Sequence, residues 1–243
     1  MDFIIQALGY IFDPANYLGE NAILPRLADH LIYTGLSLLI ALVVAIPLGL
    51  FIGHTGKGKN FAVAATSSFR AVPTFGLLLF IVLLNGLGLW PLVVVLVILA
   101  VPPLLAGIYS GIQAVPRSTI YSARAIGMTE FQILSKVEVP LAIPLMLGGL
   151  RNATLQVIAT ATIAAYVGLG GLGRFIIEGL ALHNFVLALV GALLVMMLAL
   201  VIDLSLAGIQ KLVTPPGVAT VLTSKATDKQ PKILAKIAQE REG

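Results

Sequence analysis

Long apolar runs separated by short polar breaks organise this chain. Five stretches are long enough to cross a hydrocarbon core as helices, which takes about 20 residues. They run from Leu31 to Ile52, Phe61 to Leu84, Leu89 to Ile112, Leu141 to Val167 and Phe185 to Ile209. Ahead of them, Phe3, Ile4, Ala7, Leu8 and Ile11 recur at helical spacing with Asp2, Gln6 and Gly9 between. Met1 to Phe12 has no basic residue and is too short to span, so it predicts a helix lying flat at the headgroups rather than a cleaved leader. Beyond Pro215-Pro216 the chain turns polar and lysine-rich with no further apolar run. The expected architecture is therefore all-α and integral to the membrane, with about five transmembrane helices. Residues 1–28 form an interfacial segment, 29–212 the transmembrane domain and 213–243 a polar tail.

Composition agrees with this solvent: 58% of residues are hydrophobic, 11% are charged, and the mean hydropathy is +1.02. Charge then sets the orientation, because cytoplasmic loops retain Lys and Arg. Lys57 and Lys59 follow the first span, Arg117, Arg124 and Lys136 lie between the third and fourth, and Lys211 follows the fifth, while only Arg26 and Arg174 fall on the opposite side. This asymmetry predicts a multi-pass plasma-membrane protein with its N-terminus outside and its C-terminus inside, where Lys225, Lys229, Lys232, Lys236 and Arg241 add to the bias. The basic pI of about 9.4 follows from it and is not a nucleic-acid signal. The chain has no cysteine, and His30, His54 and His183 are too far apart for a metal motif, so no metal site is expected.

Two phosphate-binding look-alikes fail on context. Gly53-His-Thr-Gly-Lys-Gly-Lys59-Asn60 has Asn where a phosphate loop carries its magnesium-binding hydroxyl, and it joins two spans instead of following a buried strand. Gly168-Leu-Gly170-Gly171-Leu-Gly173 matches the dinucleotide spacing but follows a transmembrane helix on the outer side. Glycines there predict an outer loop that bends sharply or meets a partner.

The break between the third and fourth spans carries more information. Pro116 suits a helix start, small residues follow, and Gly127 can adopt a left-handed cap, predicting a short helix over Arg117 to Ile126. Thr129 with Gln132 reads as a capping box that starts a second helix, whose apolar contacts come from Phe131, Ile133, Leu134 and Val137. Pro140 is expected to break the path before the fourth span. Two short helices joined at a small-residue elbow suit the transmission of a push.

In this stretch the chain resembles permease subunits of binding-protein-dependent ABC importers, whose cytoplasmic loop reads Glu-Ala-Ala, then a spaced Gly, then Ile-x-Leu-Pro. The spacing from Gly127 to Pro140 fits, and Ala123 matches the second alanine. Tyr121 stands for Glu, Ser122 for the first Ala, Val137 for Ile and Val139 for Leu. Arg70-Ala-Val-Pro73-Thr74, Gly148-Gly-Leu-Arg151-Asn-Ala-Thr and Tyr166-Val-Gly-Leu-Gly-Gly-Leu-Gly173 look most like the osmoprotectant branch, which imports glycine betaine, choline or carnitine. The resemblance implies a second permease chain, expected as a homodimer, two cytoplasmic ATPase subunits and an external substrate-binding protein. ATP and magnesium would belong to the ATPase, and no cofactor or catalytic residue to this chain. It also implies that Tyr121, Ser122, Ala123, Arg124, Gly127, Met128, Thr129, Glu130 and Phe131 form the ATPase-coupling surface.

Charge inside a span is costly and seeks a partner. Arg70, Arg151 and Asp203 lie within spans, each roughly 9 to 17 Å from the cytoplasmic end at about 1.5 Å per residue. Asp203 is the only acid among them and is expected to pair with Arg151 or Arg70. Mildly polar residues on the second and fourth spans, Pro73, Thr74, Thr160, Thr162 and Tyr166, are the expected lining of a path. Small residues such as Ala45, Gly49, Gly53, Gly107 and Gly111 equally serve helix packing. Two other functions compete: a transporter driven by an ion gradient, which usually carries several intramembrane carboxylates, and an ABC permease for an amino acid or other small solute.

Overall fold

Every described element is helical in the computed structural model, which describes residues 2–58 and 72–214. The order is α1 (Asp2–Phe12), α2 (Ile23–Thr55), α3 (Thr74–Asn85), α4 (Leu89–Gln113), α5 (Arg117–Ala125), α6 (Glu130–Ile133), α7 (Val139–Ala161), α8 (Gly173–Ala181) and α9 (Phe185–Val213). Among the described residues, four helices are long and apolar enough to cross a membrane: α2, α4, a rod running from Glu130 to Val167, and α9. Helix α3 is the described part of the second expected span. The remainder of that span, with Arg70, and most of the expected tail lie outside the described residues.

Helix α2 begins at Ile23, well before the apolar run proper. Pro25 sits in its first turn, where a missing N–H costs nothing because those donors have no partner in the helix. The helix ends at Gly56, whose φ of 71° provides a left-handed cap.

Helices α2, α4 and α7 form the central layer. Ala41 and Ala45 of α2, Leu92, Leu96 and Leu99 of α4, and Ala153, Val157 and Ala161 of α7 are buried together. Small residues set the spacing. A β-carbon added at Gly49 or Gly53 would lie 2.7 or 2.6 Å from the β-carbons of Ile108 and Ile112, so these glycines let α2 settle directly onto α4. On the other side of α4, Gly107 faces Gly149 of α7 so closely that a β-carbon on either would meet the other's backbone at 2.5 to 2.7 Å.

Helix α9 packs on α7 and α8 and leaves Met196, Leu200, Val201 and Leu204 exposed, as a helix facing lipid or another chain would. Helix α1 covers part of it, burying Ala7 and Ile11 beside Val190, while Phe3, Ile4, Ile5 and Leu8 stay exposed.

One expectation needs correction. Pro140 does not break the chain: α6, a π-turn over Leu134–Glu138 and α7 form one rod with Pro140 in the first turn of α7. The wider turn supplies room for the proline ring and removes the need for its absent donor. The second elbow helix is consequently fused to the fourth span and is not a separate piece.

The glycine-rich segment also leads into a helix, α8, that the apolar runs did not announce. It is tied down by Glu178, which accepts from Arg174 at 2.6 Å and from Arg26 of α2 at 2.8 Å. Arg26 lies over the Phe175 ring at 4.2 Å. Burial pushes the Glu178 carboxyl up, but the hydrogen bonds and charges of Arg174 and Arg26 outweigh it and leave the group below the usual carboxylate range. With the folded value depressed, this clamp contributes at neutral pH and is lost as pH falls through that folded value.

Candidate functional site

The residues with functional signals gather at three places. At the elbow, α5 ends with Gly127 at φ 86°, and Thr129 and Gln132 exchange both bonds of a capping box that starts α6. Ala123 is buried with Ile120 and Ile133, and Met128 packs against them, which fixes the angle between the helices. Tyr121, Ser122, Arg124, Gly127, Thr129, Glu130 and Phe131 remain on the surface. Ile126 and Phe131 are 80% and 78% exposed, an unusual position for large apolar side chains beside charged ones.

Behind this surface lies an ionic link that sequence reasoning missed. Arg124 forms a two-pronged pair with Glu130, at 2.7 and 2.9 Å. His54, in the last turn of α2, lies 3.2 Å from Glu130 and 2.5 Å from Glu138, and the Glu138 side chain is only 3% exposed. The π-turn positions Glu138 for this contact. The elbow is thus fastened both to the rod and to the end of α2.

The two links differ in strength. Arg124→Gln removes an exposed, solvent-screened pair and is expected to change stability little. His54→Leu leaves Glu138 buried without its partner and is expected to cost roughly 2–4 kcal/mol. Thermal unfolding of the two purified variants should separate them, with His54→Leu clearly the less stable.

The second place is a groove of about 820 Å³ between α4, α7 and α9. Arg151 of α7 reaches Asp203 of α9 with two bonds of 2.9 Å, and its third nitrogen donates to Gln210 at 3.2 Å. Gln210 in turn donates 2.7 Å to the Pro144 carbonyl, a main-chain acceptor near the start of α7. Both charged side chains keep an open edge, at 30% and 25% exposure. Ser110, Asn152 and Gln156 add polar groups to the same groove.

The five residues expected to line a path lie elsewhere. Pro73 and Tyr166 are exposed, Thr74, Thr160 and Thr162 half-buried, and none borders the groove. The fold does bring the two sequence regions together, because the ring of Phe75 meets Tyr166 edge to face at 4.8 Å.

The third place is the glycine loop after the rod. Gly168 and Gly171 have φ of 78° and 91°. Gly170 lies so near Asp29 that a side chain there would strike its carboxylate, Gly171 lies beside His30 and Tyr33, and Gly173 packs on the Thr162 carbonyl. His30 is buried and its Nε2 donates to the Ile158 carbonyl at 3.0 Å. The loop therefore binds the end of the rod to α2. Among the described residues no cluster of His, Cys, Asp and Glu is arranged to hold a metal.

A path-sized groove, an exposed elbow and a bundle of long apolar helices are the parts of a membrane transport subunit. The family described as "Binding-protein-dependent transport system inner membrane component" matches residues 45–215. The chain belongs to this family. As a permease of this kind it is a multi-pass inner-membrane subunit and not an enzyme, and it works with a separate ATPase and a substrate-binding protein.

Among similar proteins, "Carnitine transport permease protein OpuCB" of Listeria monocytogenes is 35% identical over 82% of this permease and 91% of that protein. "Glycine betaine/carnitine/choline transport system permease protein OpuCB" of Bacillus subtilis is 34% identical over 80% and 90%. "Choline transport system permease protein OpuBB" of the same organism is 34% identical over 78% and 87%. An inward-facing structure of the MetNI methionine ABC transporter shares the fold, with a TM-score of 0.70 at 23% identity over 79% of the permease and 95% of that chain. The ion-gradient reading is set aside by these findings.

Proposed function

We propose that this permease imports a small trimethylammonium solute of the glycine betaine, carnitine and choline group. The observation that carries the reading is the likeness to relatives at 34–35% identity whose names specify these solutes. The elbow formed by Tyr121 to Phe131 docks on the ATPase in the cytoplasm, with the N-terminus outside. Its exposed Tyr121, Ile126 and Phe131 support that role, and the continuous helical rod from Glu130 to Val167 gives a push at the elbow a direct route into the bundle.

The groove of α4, α7 and α9 lies on the translocation path, while Thr160, Thr162, Tyr166, Pro73 and Thr74 line its outer part. A second permease chain closes the path. The homodimer expected from sequence is one form of this pair; likeness to both OpuCB and OpuCD of Bacillus subtilis, which share one system name, supports pairing with a related chain as another.

Uptake by cells carrying the complete system tests the substrate class. Labelled glycine betaine should accumulate, and excess unlabelled carnitine or choline, but not methionine, should compete. Competition by methionine alone would replace the proposed class with an amino acid.

A further inference from the structure

At the elbow end of the bundle, α2 is joined to the rod by polar groups. The apolar cluster under the elbow buries Val115, Ile120, Ala123 and Ile133, with Met128, Val137 and Leu141 packed against them, and among the described residues α2 contributes nothing to it. The side chain that crosses from α2 is His54. Its Nδ1 meets Glu138 in the π-turn at 2.5 Å, and its Nε2 meets Glu130 in α6 at 3.2 Å.

The kind of joint matters for motion. Apolar packing is non-directional, and helices held by it alone can slide past one another by small amounts. Gly49 and Gly53 seat α2 closely on Ile108 and Ile112 of α4, yet no directional bond in that contact fixes the height of one helix against the other. A hydrogen bond does fix it, because it weakens steeply with distance and angle. Opening this one would leave the Glu138 carboxylate, 3% exposed, buried without its partner, so the link resists breaking.

The link also has a telling position. Pro47 interrupts α2 seven residues before His54, and Pro144 interrupts α7 six residues after Glu138. A proline inside a helix removes a donor and is a usual place for the helix to bend. His54 therefore fastens the two helices together on the elbow side of both bends.

Resting on the reading that an ATPase pushes the elbow, we propose that His54 is the positioning residue that couples α2 to the rod. Through its bond to Glu138, a displacement of the elbow carries the ends of α2 and α7 together, and the bundle rearranges as a unit. Without the bond the rod moves while α2 lags, and ATP is hydrolysed without matching transport.

The test measures ATP hydrolysis and glycine betaine uptake on the same proteoliposomes, which hold the permease with its ATPase and receive solute-loaded binding protein. Replacing both partners by apolar residues, in His54→Leu with Glu138→Leu, strands no buried carboxylate and so preserves packing while removing the directional bond. Uptake per ATP hydrolysed should fall at least about fivefold in this double variant while hydrolysis persists. His54→Asn, whose amide nitrogen stands near the place of Nδ1, should keep the native ratio. Because the native chain has no cysteine, His54→Cys with Glu138→Cys can be bridged by a short bis-methanethiosulfonate. That pair should be uncoupled before bridging and recover its ratio after it.

An unchanged ratio in the leucine pair would overturn the proposal, as would a bridged cysteine pair that transports no better per ATP than the unbridged one. The cysteine pair decides the matter if the leucine pair does not assemble. Both outcomes leave the import reading standing, whereas a native complex that hydrolyses ATP but takes up no glycine betaine would overturn that reading and the proposal with it.

Discussion

Replacing Gly127 with tryptophan is expected to reduce ATP-driven uptake to less than about a tenth of the native level while leaving the permease inserted in the membrane. Gly127 holds φ at 86° at the end of α5, and nothing lies within 4 Å of where its β-carbon would stand. The substitution therefore has room within the chain, and the backbone strain of a left-handed L-residue, about 1–2 kcal/mol, is the only internal penalty. The damage would fall on the proposed docking face. The new indole would add bulk to the exposed elbow surface that also carries Tyr121 and Phe131. Alanine at the same position carries the strain without the bulk, so Gly127→Ala should retain much more transport than Gly127→Trp. Equal uptake by the native chain and the tryptophan variant would remove the elbow from the coupling surface.

The second large effect lies in the bundle. Gly107→Leu is expected to prevent accumulation of the folded permease, because even the first added carbon would meet the Gly149 α-carbon at 2.5 Å and the Leu145 carbonyl at 3.3 Å. Backbone atoms cannot rotate away, so α4 and α7 must separate along the layer that buries Leu99, Ala153 and Val157. Overpacking of this kind costs about 1–3 kcal/mol or more, a large share of a total stability of about 5–15 kcal/mol. Gly35→Ala provides the contrast: nothing lies within 4 Å of its added carbon, and helix propensity favours alanine by about 1 kcal/mol. Size-exclusion profiles of the two tagged variants after detergent extraction should show loss of the monodisperse peak for Gly107→Leu and its retention for Gly35→Ala.

What was legible in the sequence was local or forced by the membrane. The capping box of Thr129 and Gln132 and the left-handed Gly127 are short-range motifs whose geometry follows from residue type. The partner of Asp203 was constrained because a span offers so few charges. The small residues of α2 and α4 announced close packing by their spacing, although not that Gly107 would face Gly149.

The remainder depended on contacts between distant parts of the chain. His54 meets Glu138 across 84 positions, and Arg26 meets Glu178 across 152. Neither pair leaves a periodic signal. Helix α8 is obscured in the sequence because its preceding glycines read as a loop, and Pro140 reads as a break because the π-turn that makes room for its ring has no local sequence signal. The groove itself arises from three helices, so polar residues such as Ser110 and Asn152 acquire meaning only when α4, α7 and α9 are assembled.

The central claim, that this permease is driven through its elbow by a separate ATPase, is tested most directly by purifying the tagged chain from its native membranes beside the Gly127→Trp variant and identifying the proteins that accompany each. An ATPase subunit retained by the native chain and absent from the variant is the predicted result. Recovery of the intact native chain without any ATPase, or with an ATPase held equally by both forms, would contradict it.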